Sequence, residues 1–231
     1  MARTPVPSRP ARLNRAAVLQ HAVDLADREG IEAVQMRRLA EDLGVVPMAL
    51  YKHVANKDEL LDGMVDVVVS ELGPGERGGK AWKADVRRRI LATRTTLRAH
   101  PWARSVIESR TARSVVVLGY LDSIARLFLA GGVSPDLTHH GMHALGSRVW
   151  GFTQDVFDAP DTAPPPPEAV AELARLMPDL AVVASAVRHD DGSEVGHGCD
   201  NQFEFELALD MLLDGIERLH RRGWTSAPRR P

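Results

Sequence analysis

The chain has 231 residues, 44% of them hydrophobic, with 29 Lys and Arg against 31 Asp and Glu and a formal net charge of -2. That balance excludes a polyanion binder working by bulk charge, and no apolar run approaches the roughly 20 residues of a membrane span. One cysteine, Cys199, cannot form an internal disulfide, which fits a reducing cytoplasm, and the Pro- and Arg-rich start lacks the apolar core of a signal peptide.

Residues 1–13 read as a disordered basic arm. Arg3, Arg9, Arg12 and Arg15 occur there or just after, with no acid. Such an arm either follows a DNA backbone or minor groove or is a solvated terminus. Asn14 is placed to cap a first helix, whose apolar stripe is Val18, Leu19, Ala22, Val23, Leu25 and Ala26 and whose stop is Gly30. Gln35 to Leu43 predicts a second helix, ended by Gly44. Pro47 suits the first turn of a third, where its missing N–H costs nothing. A fourth runs from about Asn56 to Leu72.

Residues 73–79 literally match G-x-G-x-x-G. A dinucleotide fingerprint needs a preceding strand, and here a helix precedes it, so the segment reads as a linker. Helices follow over Trp82–Ala99, Pro101–Arg110, Ser114–Ala130 and Pro135–Asp158. The third of these is apolar almost all round, which predicts a central, buried position. A Pro-rich spacer at 160–167 leads to a helix over Glu168–Met177. A loop is expected over Asp190–Asn201 and a last helix over Phe203–Arg222.

Two helices look built for a partner. In the last, Phe205, Leu209, Leu212, Ile216 and Leu219 fall at a/d spacing, while Phe203, Leu207 and Met211 form a second apolar stripe. In the long one, Leu137, Gly141, Leu145, Val149, Phe152 and Val156 form a stripe, and Gly141, Gly146 and Gly151 suggest close helix approach. A homodimer is expected, since a helix-turn-helix reads two half-sites about 34 Å apart through two-fold symmetry.

The second and third helices form a helix-turn-helix, the layout that places its second helix in the DNA major groove. Within residues 14–65, Gly30-Ile31-Glu32-Ala33, Arg37-Arg38-Leu39-Ala40, Leu43-Gly44-Val45, Leu50-Tyr51-Lys52-His53-Val54 and Asn56-Lys57-Asp58-Glu59-Leu60-Leu61 resemble the tetracycline-repressor (TetR) family of bacterial regulators. Past residue 65 the Trp82 start, His100-Pro101-Trp102 and the Phe203-Glu204-Phe205 helix look like the ligand domain of the tetracycline-repressor branch itself. The resemblance implies an all-α fold: a small helix-turn-helix DNA-binding domain over 14–60 and a larger effector-binding and dimerisation domain over 61–231. It also implies a cytoplasmic repressor released from a palindromic double-stranded DNA operator by a small-molecule effector.

Carried over residue by residue, the DNA contacts fall on Arg37, Pro47, Met48, Ala49, Tyr51, Lys52, His53 and Lys57. Tyr51, His53 and Lys57 resemble phosphate contacts. Val46 and Ala49 stand where relatives often carry Ser or Thr, so Val46 cannot cap the recognition helix. Met48 and Ala49 would read bases by apolar contact, for example with a thymine methyl. Expected pocket residues are His100, Trp102, Phe128, Trp150 and Gln154, between the helices starting near Trp82, Ser114 and Pro135. His139, His140 and His143 include an i, i+4 pair at metal-ligand spacing, with a helix-start surface as the alternative. No cofactor, metal or catalytic residue is expected. The alternatives are an effector-independent activator or nucleoid-type binder, and an all-α metal-binding protein or enzyme.

Overall fold

The first four helices begin and end where side-chain caps and glycines dictate. The computed structural model describes residues 13–110, 112–151, 166–186 and 201–227. Asn14 accepts from the Ala17 N–H and opens α1 (Arg15–Glu29), which Gly30 closes. A short 3-10 turn (Ile31–Ala33) leads to α2 (Met36–Asp42) and α3 (Pro47–Leu50), with Pro47 in the first turn and Val46 making no cap. Asn56 caps α4 (Lys57–Glu71) by accepting from the Glu59 N–H, and Glu59 reaches back to the Ala55 N–H at 2.7 Å. This reciprocal arrangement is a variant of the capping box.

The turn between α2 and α3 depends on Gly44. Its φ of +66° lies in the left-handed region, and the next residue, Val45, donates to the Ala40 carbonyl at 2.9 Å. A side chain there meets no neighbour, so only backbone strain opposes it.

The rest of the described chain is also helical. It comprises α5 (Trp82–Ala99), α6 (Ala103–Ser109), α7 (Val115–Ala130), α8 (Pro135–Gly151), α9 (Pro167–Leu176), α10 (Pro178–Ala186) and α11 (Asn201–Arg221). Residues 73–79 form the irregular link from α4 to α5. Two compact units emerge, Met1–Ser134 and Pro135–Pro231.

In the first unit the core gathers Val18, Ala22, Leu25, Leu39, Leu50, Leu60 and Met64, and extends into Trp102, Ala103 and Val106 of the α6 region. Helix α7 departs from the expected burial. It buries Ser123, Ile124, Leu127 and Phe128, while Val115 (86% exposed), Leu118 and Leu129 face outward. An apolar run alone does not say how many faces are covered. Beside it, Trp82 stacks on Phe128 with centroids 5.3 Å apart. A Cβ on Gly131 would stand 2.3 Å from the Trp82 ring, so glycine allows that close approach.

In the second unit α8 packs on α11. The buried stripe of α11 is Phe205, Leu209, Leu213 and Ile216. Leu213 thus takes the inward position expected of Leu212, because a straight 3.6-residue helix drifts from a 3.5-residue repeat. Leu137, Gly141 and Leu145 of α8 are buried. The side chain of Val149 and all of Phe152 and Val156 lie outside the described residues, as do the basic residues Arg3, Arg9 and Arg12, the 190–200 segment and Cys199. Among the described residues no helix is long and apolar enough to cross a membrane.

Replacing Gly44 by Ala is expected to lower the unfolding free energy by about 1 kcal/mol, with Asn costing less, because the αL region penalises a Cβ and Asn tolerates it best. Urea denaturation checks both.

Candidate nucleic-acid interface and the junction behind it

Helix α3 presents an unusual surface. Val46 is 68% and Met48 71% exposed, although both are apolar, while Leu50 on the opposite side is fully buried. The turn after α3 is closed by the His53 and Val54 N–H groups donating to the Leu50 carbonyl. It carries exposed Tyr51 and Lys52 and half-buried His53. Lys57, exposed, is the first residue of α4. Buried Val54 anchors the connection between them. Arg37 on α2 is exposed and pairs with Glu41 at 3.2 Å. The residues expected to touch DNA therefore lie on α2, α3, the turn that follows it and the start of α4, around one small core. Arg38 fixes α2 by bonding Asp42 at 2.9 Å and reaching Glu29 at the end of α1 at 3.3 Å.

Behind this face, α1 and α4 are tied to α5 and α6 by a polar cluster. His100, which ends α5, is buried between two carboxylates. Its Nδ1 lies 2.9 Å from Asp27 Oδ1, and its Nε2 lies 3.2 Å from Glu71 Oε2. Trp102 Nε1 donates to the same Asp27 oxygen at 2.6 Å. A neutral imidazole has one N–H and one lone pair, so it would satisfy one carboxylate and repel the other; an imidazolium donates to both. Burial lowers the pKa, but the hydrogen bonds to Asp27 and Glu71 outweigh it and hold His100 above the ordinary histidine value.

A second tie runs along the edge of α4. Arg110, at the end of α6, bonds Asp58 at 2.9 Å and Asp62 at 3.3 Å. The hydrogen bonds it donates to these carboxylates, Asp58 first, raise its pKa. Ser114, the cap of α7, donates to Asp66. Asp62, Asp66, Arg110 and Ser114 border a cavity of about 170 Å³ together with Val65 and Val117.

The expected pocket residues are thereby divided. His100 and Trp102 serve the junction with α1 and α4, and Trp102 is part of the N-terminal core. Phe128 packs on Trp82. The Trp150 side chain and Gln154 lie outside the described residues. His139 and His143 meet edge-on with centroids 4.6 Å apart, and His140 meets Trp224 edge-on and Asp136 at 3.6 Å. Among the described residues no group of three or more His, Cys, Asp or Glu is arranged to hold a metal. Neither Asp27 nor Glu71 stood out from sequence, because each reads as a surface acid near a helix end.

Comparison with known proteins adds an independent finding. Residues 18–64 match the model for bacterial regulatory proteins of the tetR family, and residues 74–220 match that for the tetracyclin repressor-like C-terminal domain. The chain is 31% identical over 219 residues to the HTH-type transcriptional repressor DrrR1 of Streptomyces coeruleorubidus, covering 91% of this chain and 80% of that one. It is 33% identical over 210 residues to the class D tetracycline repressor of Escherichia coli, covering 88% and 94%. Its fold is similar to that of apo ActR from Streptomyces coelicolor, with a TM-score of 0.71 at 22% identity over 93% of this chain and 99% of that one.

The His100 cluster sets a pH dependence. A folded pKa raised above the ordinary 6.5 contributes stability that is fully present below 6.5 and is lost as pH rises through the folded pKa. The wild-type protein is expected to lose that increment in this window, and His100→Gln is not. The difference between their urea denaturation free energies across pH measures it.

Proposed function

The chain belongs to the tetR family of bacterial regulatory proteins, and from that premise we propose that it is a homodimeric transcriptional repressor released from a palindromic operator by a small-molecule effector. The observation that carries the reading is the exposed, apolar-tipped α3 with Tyr51, Lys52 and Lys57 beside it, mounted on a core that continues into α6.

In this reading residues 14–60 bind DNA and 61–231 bind the effector and the second subunit. Helix α3 enters the major groove. Met48 and Ala49 meet base edges without hydrogen bonds, and Arg37, Tyr51, Lys52, His53 and Lys57 hold the backbone. Phosphate contacts fix register, whereas the apolar tip supplies what sequence preference there is. The dimer forms through α8 and α11. On α11, Phe203 (59% exposed), Leu207 and Met211 (66% exposed) lie on a different face from the buried stripe. A second copy of the same helix face would cover them. The α4 helix is the lever, because its start stands at the DNA and its length is bonded to α5, α6 and α7.

Two outcomes are expected. On an operator selected from random duplexes, Tyr51→Ala and Lys57→Ala weaken binding, and Lys57→Ala lowers the slope of log affinity against log salt by about 1. Met48→Ala alters base preference at an unchanged slope. Quantitative gel shifts at several salt concentrations read both effects, and unchanged binding in Tyr51→Ala and Lys57→Ala contradicts the assignment. Separately, Leu207→Glu with Met211→Glu converts the dimer to a folded monomer in sedimentation equilibrium.

A further inference from the structure

Arg89 on α5 is a buried cation with no acid beside it among the described residues. It is 8% exposed, and its Nε–H is buried without a hydrogen-bond partner. Its other nitrogens donate to the carbonyls of Leu72 and, at 2.9 Å, Gly73, at the end of α4. The guanidinium lies 5.1 Å from the centroid of the Tyr120 ring on α7. The Tyr120 hydroxyl is 2.7 Å from Thr93 Oγ1, and Ser123 Oγ donates to the Tyr120 carbonyl. Thr93 and Ser123 are both buried. Burial pushes the pKa of Arg89 down, and the ionisable groups acting on it are Tyr120 and Arg126, neither of them a carboxylate.

Buried guanidinium groups are ordinarily paired with an anion, and every buried N–H ordinarily finds an acceptor. Among the described residues Arg89 has no anion and its Nε–H has no acceptor, in the middle of a helix pair whose other end is the apolar Trp82–Phe128 contact. We propose that Arg89 is the receptor for an acidic group on the effector, so that the effector is an apolar organic anion carrying a carboxylate. This rests on the effector-binding role proposed above and names the chemistry that role selects. The guanidinium that receives the anion also holds the last carbonyls of α4. An incoming acid therefore competes with Leu72 and Gly73 for the same donors, which links its arrival to the helix that carries Lys57.

The test compares benzoate with benzamide, a matched pair differing in charge, binding to the full-length protein by titration calorimetry. Benzoate is expected to bind at least about tenfold more tightly, the value of a charge-assisted over a neutral hydrogen bond. Arg89→Met abolishes the preference and Arg89→Lys retains most of it, with thermal melting confirming that each is folded. In the wild-type protein the Arg89 Nε–H resonance shifts with benzoate and not with benzamide, a readout that needs no folded Met variant. Equal affinities, no binding of either compound at tens of millimolar, or a preference that survives in folded Arg89→Met would overturn the proposal. Operator binding is measured on the same samples. If it persists without a benzoate preference, the anion receptor fails and the DNA-binding reading stands.

Discussion

The structure turns on one carboxylate. Asp27, near the end of α1, accepts from both His100 and Trp102, and His100 carries the connection on to Glu71 at the end of α4. These four side chains join the helices that position the recognition helix to the helices that follow the linker. Partly buried ion pairs of this kind give little net stability, since desolvation consumes much of the Coulombic gain. What they impose is direction. Apolar surfaces slide past one another at low cost, whereas an imidazolium between two carboxylates has one arrangement that satisfies both ring nitrogens.

With that join in place, α4 cannot be treated as a spacer. One face enters the core through Leu60, Met64 and Val68. One edge is held by Arg110 and Ser114 through three aspartates spaced four residues apart, Asp58, Asp62 and Asp66. Its last carbonyls are held by Arg89. A displacement of α5, α6 or α7 must either break these bonds or move α4, and the first residue of α4 is Lys57. Discrete bonds of this type give two-state behaviour, in which a ligand acts by its differential affinity for the two arrangements.

Local chemistry made the helices legible in the sequence. Asn14 caps, Pro47 starts and Gly30 and Gly44 stop helices as their side chains or lack of one require, and the Trp82–Ala99 helix matches the structure end to end. The residues carried over from the resemblance as DNA contacts sit within a few residues of those signals, and Met48, Tyr51, Lys52 and Lys57 are exposed there. The junction was not. Asp27 and His100 are 73 residues apart, and no periodicity connects a carboxylate in one helix to an imidazole ending another. His100 and Trp102 are expected pocket residues from sequence, and the structure places both at this junction, because a sequence does not show which distant side chains become neighbours. The burial of α7 is less than its apolar sequence predicts, because a helix apolar almost all round says nothing about which sides a neighbour covers.

The most direct test lies away from the DNA. Asp27→Asn removes the charge that orients His100 and Trp102 while leaving every residue of the DNA face untouched. If the junction sets the pose of the recognition helices, operator affinity falls in this variant at an unchanged salt slope, because the phosphate contacts are still made. A folded Asp27→Asn protein that binds the operator as tightly as the wild type would contradict the account.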